Sequence, residues 1–238
     1  MRWSRKAFGA CGALALAAGL VVAAAPASGE SSIEADYQMN EPADATTMTD
    51  SSGNGLDAVI DQTGLDTGFE FDGAIGYHWD RRNPNEPPAS PERVIKVADD
   101  SHLDPGDDVF TVEIRFRTKE KFGNIIQKGQ SRSKGGQWKI QNPQGRPSCL
   151  FKGSIQRSAT RVKTPLNDNE WHTLKCVRTM DSVEAYVDGV FNNRKRGYTG
   201  TIDNKIPMSI GGKTNCDQIK ITCDYFSGDI DYVRITRS

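Results

Sequence analysis

Residues 169–195, NEWHTLKCVRTMDSVEAYVDGVFNNRK, decide the fold of this chain. Residues 171–179 and 182–187 are β-branched, aromatic or alternating, as in strands, and Met180-Asp181 leaves room only for a tight turn between them. Asp188-Gly189 tolerates positive φ, so the chain can reverse again into residues 190–194. The stretch therefore predicts three consecutive antiparallel strands.

Strand patterns continue on both sides of this stretch. Residues 110–118 alternate strictly between apolar and polar side chains, which indicates one buried and one wet face. Residues 77–91 contain four prolines and predict an irregular surface loop. Because no segment shows a helical period, the sequence predicts an all-β, two-sheet antiparallel β-sandwich. The other predicted strands are 33–39, 56–60, 69–71, 93–97, 124–128, 137–142, 149–151, 155–163, 206–210 and 226–235.

The N-terminus has the pattern of a secretory signal peptide. Arg2, Arg5 and Lys6 precede an apolar run that ends in Ala25-Pro26-Ala27, and the run is short and rich in Ala and Gly. We expect cleavage after residue 27, a short remnant at 28–34 and one domain over 35–238. The alternative is a retained membrane anchor. Secretion into an extracellular setting follows from the first interpretation.

The charge balance argues against two classes of partner. Removal of residues 1–27 leaves 27 basic against 31 acidic residues, so the mature chain is slightly acidic. No basic excess is present to neutralise phosphates or an anionic membrane. The sequence therefore predicts no nucleic-acid partner and no stable membrane insertion, and it leaves the oligomeric state open.

Several motifs resemble one family. W-H-T-L-x-C-V-R-T followed by V-x-A-Y-V-D-G resembles the central signature of laminin G-like domains of the concanavalin A-like lectin and glucanase superfamily. D-S-S-G-N-G followed by F-x-F-D-G, and the late Y-F-S-G-D-I-D-Y-V-R-I, resemble the opening and closing motifs of the same family. The resemblance covers about residues 35–236 and implies a jelly roll in which the last strand lies beside the first.

Four cysteines remain in the mature chain, and an even count in an exported protein indicates two disulfides. Three pairings are possible. Cys216 and Cys223 are close in sequence, whereas Cys149 and Cys176 each lie in a strand-like run, so we expect the pairs 149–176 and 216–223. A four-cysteine zinc site is disfavoured because C-x-x-C spacing is missing.

The superfamily includes glucanases, but the sequence favours a protein that is not an enzyme. Family-16 glucanases carry E-x-D-x-x-E on one strand, and this spacing is absent. Glu113, Glu184 and Asp188 each stand alone, and we expect His172 to be a structural hydrogen-bonding residue rather than a base. The remaining possibility is a glycan-cleaving enzyme whose carboxylates come from non-adjacent strands.

Calcium is the cofactor that the resemblance implies. Asp231 resembles the terminal-strand aspartate that many members of the superfamily use for a structural calcium, with main-chain oxygens near Asn40 and Asp72 as further ligands. The alternative is that Asp231 pairs with Arg234 or another basic residue.

Sugar-binding surfaces expose aromatic rings beside polar side chains. Tyr77, His78, Trp79 and Arg81 fit this description at the start of the proline-rich segment, and Asn192 to Arg196 form a small basic cluster. The alternative is that Trp79 packs the segment onto the sheet. We expect Trp138 and Trp171 in the core.

These observations together favour a secreted, non-catalytic, lectin-like module that binds extracellular carbohydrate or glycoprotein. The alternative within the same fold is a protein-adhesion or scaffold domain. The sequence does not decide between them, because fold alone does not determine function.

Overall fold

A computed structural model describes Met1 and residues 31–60, 65–81, 94–213 and 224–238. The described residues form sixteen strands and two short 3₁₀ turns. The strands are β1 (Ser32–Tyr37), β2 (Thr47–Met48), β3 (Ala58–Val59), β4 (Leu65–Phe71), β5 (Ala74–Trp79), β6 (Ile95–Val97), β7 (Phe110–Arg117), β8 (Asn124–Lys128), β9 (Gln137–Gln141), β10 (Ser148–Lys152), β11 (Arg157–Arg161), β12 (His172–Arg178), β13 (Ser182–Val187), β14 (Val190–Arg196), β15 (Met208–Ile210) and β16 (Gly228–Arg237).

The strands form two antiparallel sheets. The front sheet has the order β14-β13-β12-β7-β16-β5-β4, with β1 also paired to β16. The back sheet has the order β11-β10-β9-β8-β15-β6-β3-β2. This arrangement confirms the predicted all-β jelly-roll sandwich. Within the described part of the chain there is no helix with the length and hydrophobicity needed to span a bilayer.

The last strand organises the front sheet. β16 pairs with β7 along one edge, and its other edge pairs first with β5 and then with β1. The register with β7 shifts between Ile230 and Tyr232, which places Asp231 in a β-bulge. The expected pairing of the first strand with the last is therefore confirmed.

A large hydrophobic core lies between the sheets. It includes Phe110, Val112, Ile114 and Phe116, so the alternation of β7 places its apolar residues inward as predicted. A disulfide between Cys149 of β10 and Cys176 of β12 crosses from the back sheet to the front sheet, with Cα atoms 5.5 Å apart. The first predicted pairing is thus confirmed. Cys216, Cys223 and residues 2–30 lie outside the described residues.

Among the described residues of the back sheet, the cation Lys128 at the end of β8 is fully buried. Its Nζ donates to Asp99 Oδ1 at 2.8 Å, to Asp104 Oδ1 at 2.7 Å and to the carbonyl of Asn204 at 2.6 Å. Burial raises the pKa of Asp104, and the hydrogen bond and charge of Lys128 oppose that rise. The buried ammonium thus has three oxygen partners in a region with little access to water.

Candidate functional site

The outer face of the front sheet carries polar and aromatic side chains. On β7, Thr111, Glu113, Arg115 and Arg117 point away from the core and are half-buried, while the intervening apolar residues are buried. β12 and β16 flank β7 on its two sides and present their own alternate residues on this face. A partly covered, polar platform results.

One row of side chains crosses this face in register. Lys175 of β12 lies opposite both Tyr186 of β13 and Glu113 of β7, and Arg234 of β16 lies opposite both Glu113 and Asp36 of β1. The Lys175 ammonium is 5.0 Å from the centre of the Tyr186 ring. Arg234 donates from Nε and Nη2 to the two carboxylate oxygens of Asp36, at 3.2 and 3.0 Å. We call these five residues the central row; positive and negative charges alternate along it.

Two tyrosines add rings and hydroxyls to the row. Tyr232 donates to Glu113 Oε1 at 2.9 Å, and Tyr186 donates to Glu184 Oε2 at 2.7 Å. Burial and then the hydrogen bond to Glu113 raise the pKa of Tyr232, and the hydrogen bond to Glu184 raises the pKa of Tyr186. Both phenols therefore stay protonated at neutral pH, and both rings are half-buried on the outer face.

Next to the central row, Trp171 and two arginines form a stack. The Arg115 and Arg117 guanidinium groups lie 4.8 and 4.9 Å from the centre of the Trp171 ring, and Phe71 lies 4.3 Å from it. Arg115 donates to Asp231 Oδ2 at 2.6 Å. Cations beside aromatic rings attract the electron-rich ring face, so this stack fixes Trp171 on the sheet.

The stack continues through a carboxylate to His78 of β5. Asp229 accepts from Arg117 Nε at 2.5 Å, and its other oxygen lies 2.6 Å from His78 Nδ1. The hydrogen bond to Asp229 raises the pKa of His78 against the opposing effect of burial. Burial alone would raise the pKa of Asp229, but the hydrogen bonds from His78 and Arg117 lower it overall. The ionised carboxylate and the protonated imidazole therefore stabilise each other.

Comparison with known families identifies the fold. A model described as the concanavalin A-like lectin/glucanases superfamily, of laminin G type, matches residues 92–238, more than half of the chain. The chain belongs to this superfamily. The resemblance of the central and closing motifs, which lie within the matched residues, is thereby confirmed. No curated protein sequence matches the chain significantly.

Several solved structures share the superfamily fold. Domain 4 of an extracellular arabinanase from Geobacillus stearothermophilus, solved with arabinotriose, has a TM-score of 0.63 at 14% identity and covers 88% of this chain and 94% of that one. The binding domain of botulinum neurotoxin DC, solved with rat synaptotagmin II, has a TM-score of 0.60 at 13% identity and covers 86% of this chain. The binding domain of paraclostridial mosquitocidal protein 1 has a TM-score of 0.58 at 12% identity and covers 87%.

The chain spans about half the length of the two toxin binding domains, 48% in each case. At these identities the similarity establishes the fold alone. The neighbours named above are binding domains or a ligand-bound domain, and a binding role is compatible with this fold.

The four residues predicted to bind a ligand do not lie together on one surface of this superfamily member. Tyr77 and Trp79 are fully buried in the core, and Tyr77 donates to Glu41 Oε2 at 2.5 Å. The expectation of exposed rings is therefore corrected: β5 runs to Trp79, so residues 77–79 are strand and alternate between the two faces. His78 points outward and joins Asp229. Arg81 is exposed and lies outside the face, with Nε 3.3 Å from Glu120.

The predicted calcium ligands are placed as follows. Asp231 is bound to Arg115, which is the basic partner that the alternative interpretation required, while Arg234 pairs with Asp36. Asp72 lies exposed in the β4–β5 turn, and Asn40 is also exposed. Across the described ranges, no three or more His, Cys, Asp or Glu side chains are grouped to hold a metal. A guanidinium on the Asp231 carboxylate fits an ion pair better than a calcium cage, and calcium stays a prediction.

The two tryptophans expected in the core differ. Trp138 is fully buried and donates from Nε1 to the carbonyl of Leu103 at 2.9 Å, as predicted. Trp171 is half-buried on the outer face, so its assignment to the core was wrong. It directly precedes β12 and has the outward phase of Thr173 and Lys175, and this alternation is the signal that could have placed it.

The acids of the outer face are arranged as hydrogen-bond acceptors. Glu113 accepts from Tyr232, Asp229 from Arg117 and Asp231 from Arg115. A general acid in glycoside hydrolysis needs a raised pKa, whereas the pKa of Asp229 is lowered. His172 bridges Asp188, 2.9 Å from Nδ1, and Asp168, 3.2 Å from Nε2, which agrees with its expected structural role. These acids are thus held as hydrogen-bond acceptors on the outer face.

Proposed function

We propose that this chain is a non-catalytic binding module that acts outside the cell, and that the outer face of the front sheet binds carbohydrate. The observation that supports this most directly is the central row. Tyr186, Lys175, Glu113, Arg234 and Asp36 lie on five strands in register. Neighbouring strands are about 4.8 Å apart, so the row is about 19 Å long, which suits a short oligosaccharide.

The chemistry of the row suits a ligand rich in hydroxyl groups. Carboxylates accept hydrogen bonds, and ammonium, guanidinium and phenol groups donate them. The row can therefore bind a sugar hydroxyl whether that hydroxyl donates or accepts. The Tyr186 and Tyr232 rings supply the apolar surface that packs on the C–H face of a pyranose. Each charged side chain of the row lies next to one of opposite charge, so the row has little net charge. A ligand therefore needs no charge of its own to bind there, which suits a neutral glycan.

The setting and the neighbours support the same proposal. A cross-sheet disulfide is typical of proteins that fold in oxidising compartments, in agreement with the predicted signal peptide. The arabinanase domain with a similar fold was solved with arabinotriose, and extending a sugar ligand to this chain is part of the proposal.

The test is binding of the purified chain to a panel of neutral plant and microbial oligosaccharides, followed by isothermal titration calorimetry. We expect saturable binding that weakens at least tenfold in Tyr186→Ala and in Lys175→Ala, whereas Tyr186→Phe keeps the ring contact. Ile155→Ala changes an exposed apolar residue on the β10–β11 turn and serves as the control. Equal affinity in all variants, or silence across the panel, would count against the outer face as a sugar site.

Calcium is tested in the same experiment. Each titration is run once with calcium and once with chelator. Loss of binding in chelator would support the predicted metal, while unchanged binding would favour the Arg115–Asp231 ion pair as the resident arrangement.

A second candidate function is protein adhesion. At the start of β14, Val190 is 69% and Phe191 is 50% exposed, and Phe191 packs edge-on against Tyr186 at 5.6 Å. Exposed apolar residues beside a polar rim are typical of protein-binding surfaces. If no glycan binds, the double variant Val190→Ser and Phe191→Ser becomes the test: adhesion to extracellular proteins should fall in that variant and persist in Lys175→Ala.

A further inference from the structure

The loop between β7 and β8, residues 118–123, is held rigidly by the rest of the fold. Five of its six carbonyl groups accept hydrogen bonds from segments distant in sequence. Asn142 alone supplies two donors, from Nδ2 to the carbonyl of Glu120 at 2.9 Å and from its backbone N–H to that of Gly123 at 2.7 Å. The other three donors are Asn169 N to Thr118 O at 3.2 Å, Asn167 Nδ2 to Lys119 O at 3.3 Å and Gly145 N to Lys121 O at 2.8 Å.

The start of the loop is fixed in the same way. Thr118 Oγ1 donates to the carbonyl of Ser227 at 2.6 Å and accepts from the N–H of Glu120 at 2.9 Å. Gly123 at its other end is packed so closely that an added Cβ would lie 3.0 Å from Phe226 Cα. The backbone of this loop is therefore ordered before any ligand arrives.

This rigid loop presents Phe122, which is 56% exposed. The hydrophobic core does not include it. Full burial of a phenyl side chain would contribute roughly 1.5–3 kcal/mol of transfer free energy, which the exposed ring does not gain in full. Lys119 and Lys121 on the same loop are exposed, and within the described ranges neither is in an ion pair. Glu120 between them is partnered by Arg81. Phe122 thus lies on a loop with two exposed lysines, and the one carboxylate of that loop is already bound by Arg81.

We infer that the 118–123 loop is a second binding site, separate from the central row, for an acidic sugar such as a uronate. Phe122 stacks on the C–H face of the sugar ring, and Lys119, Lys121 and Arg81 bind its carboxylate. The inference goes beyond the outer-face proposal, because it rests on a different segment and on a different ligand charge.

The charge around the ring selects the acidic ligand. Lys119 and Lys121 have no acidic partner among the described residues and attract an anion, whereas the alternating charges of the central row cancel locally. Because the loop backbone is already ordered, binding there loses little conformational entropy, and a single aromatic anchor contributes more to affinity than it would on a mobile loop.

The test uses oligogalacturonate, with its methyl ester as a matched neutral ligand, on the purified chain at low ionic strength. Because the outer face is proposed to bind neutral glycans, both ligands are titrated into Tyr186→Ala, in which we expect the acid to bind and the ester to bind at least tenfold more weakly. Phe122→Ala should reduce affinity for the acid about tenfold. The double variant Lys119→Gln and Lys121→Gln should remove the preference for acid over ester and flatten the salt dependence of binding.

Two controls make the result decisive. Lys134→Gln with Lys205→Gln removes the same charge from another exposed part of the surface and should leave binding unchanged. Ester binding that needs Tyr186 reports on the outer face, whereas acid binding that needs Phe122 and the two lysines reports on the loop, so failure of the outer-face proposal and failure of this one are distinguishable. Because Phe122 is exposed, Phe122→Ala should unfold at the same urea concentration as the wild type. No binding of the acid, equal binding of acid and ester, or equal losses in the control pair would overturn the inference.

Discussion

Replacement of Lys128 by Met tests the buried ion-pair network. The side chains are similar in length, so Lys128→Met keeps most of the packing and removes only the ammonium group with its three oxygen partners. Asp99 is partly exposed and can turn to water. Asp104 is 4% exposed and would keep a buried carboxylate without its cation.

The expected loss follows from that unpaired charge. Removal of one partner from a buried ion pair typically costs about 3–5 kcal/mol of unfolding free energy. At a urea m-value of roughly 2.5 kcal/mol/M, the midpoint should fall by about 1–2 M. The pKa of Asp104, already raised by burial, should rise further without Lys128. A carboxyl group with a raised pKa in the folded state destabilises the fold at high pH, where it must ionise. The loss of unfolding free energy in the variant should therefore become smaller as the pH falls from 7 to 5.

The assay is urea unfolding followed by circular dichroism at both pH values. Lys205→Met is the matched control, since Lys205 is 75% exposed and pairs with Asp203 at 3.2 Å; its effect should stay within about 0.5 kcal/mol. The double variant Lys128→Met with Asp104→Asn should recover part of the loss. A loss below about 1 kcal/mol in Lys128→Met, or a deficit that is independent of pH, would refute the reasoning.

Three further predictions concern the sandwich and its outer face. Replacing Cys149 and Cys176 by Ala should lower the free energy of unfolding by about 3–4 kcal/mol, since the disulfide closes a 27-residue separation in sequence; an unchanged urea midpoint would contradict this. Because the pKa of His78 is raised above 6.5, its pairing with Asp229 contributes fully to the free energy of unfolding below pH 6.5, and this contribution is lost as the pH rises through the raised pKa. In His78→Asn, the free energy of unfolding should therefore fall less over the same pH range. Trp171→Ala should lower the free energy of unfolding by about 2 kcal/mol, because the ring and guanidinium contacts are lost. The measurement is unfolding followed by fluorescence, and an unchanged free energy would mean that the stack does not stabilise the fold.

Local chemistry was sufficient to predict the centre of the front sheet. The turn residues Asp188 and Gly189 both have positive φ, and strands β12 to β14 lie within a few residues of their predicted bounds. The alternation of β7 correctly separated core from surface. These features depend on neighbouring residues alone, which is why the sequence shows them.

One error comes from long-range pairing. Residues 77–79 resemble a loop because prolines follow them, yet they are strand because Trp79 pairs with Gly228 and Tyr77 with Ile230 across the sheet. No local sequence pattern indicates a strand partner that lies about 150 residues away in the chain. The same limit applies to the outer face, where the central row exists only through the register of five strands.

The alternation of β7 also separates two kinds of evolutionary freedom. Substitutions at Glu113, Arg115 and Arg117 alter the surface offered to a ligand, while Val112, Ile114 and Phe116 between them keep the sheets packed. Adjacent positions of β7 therefore serve different parts of the molecule, one the outer surface and the next the core. Such a strand can diversify in specificity at every second residue while the scaffold is inherited intact.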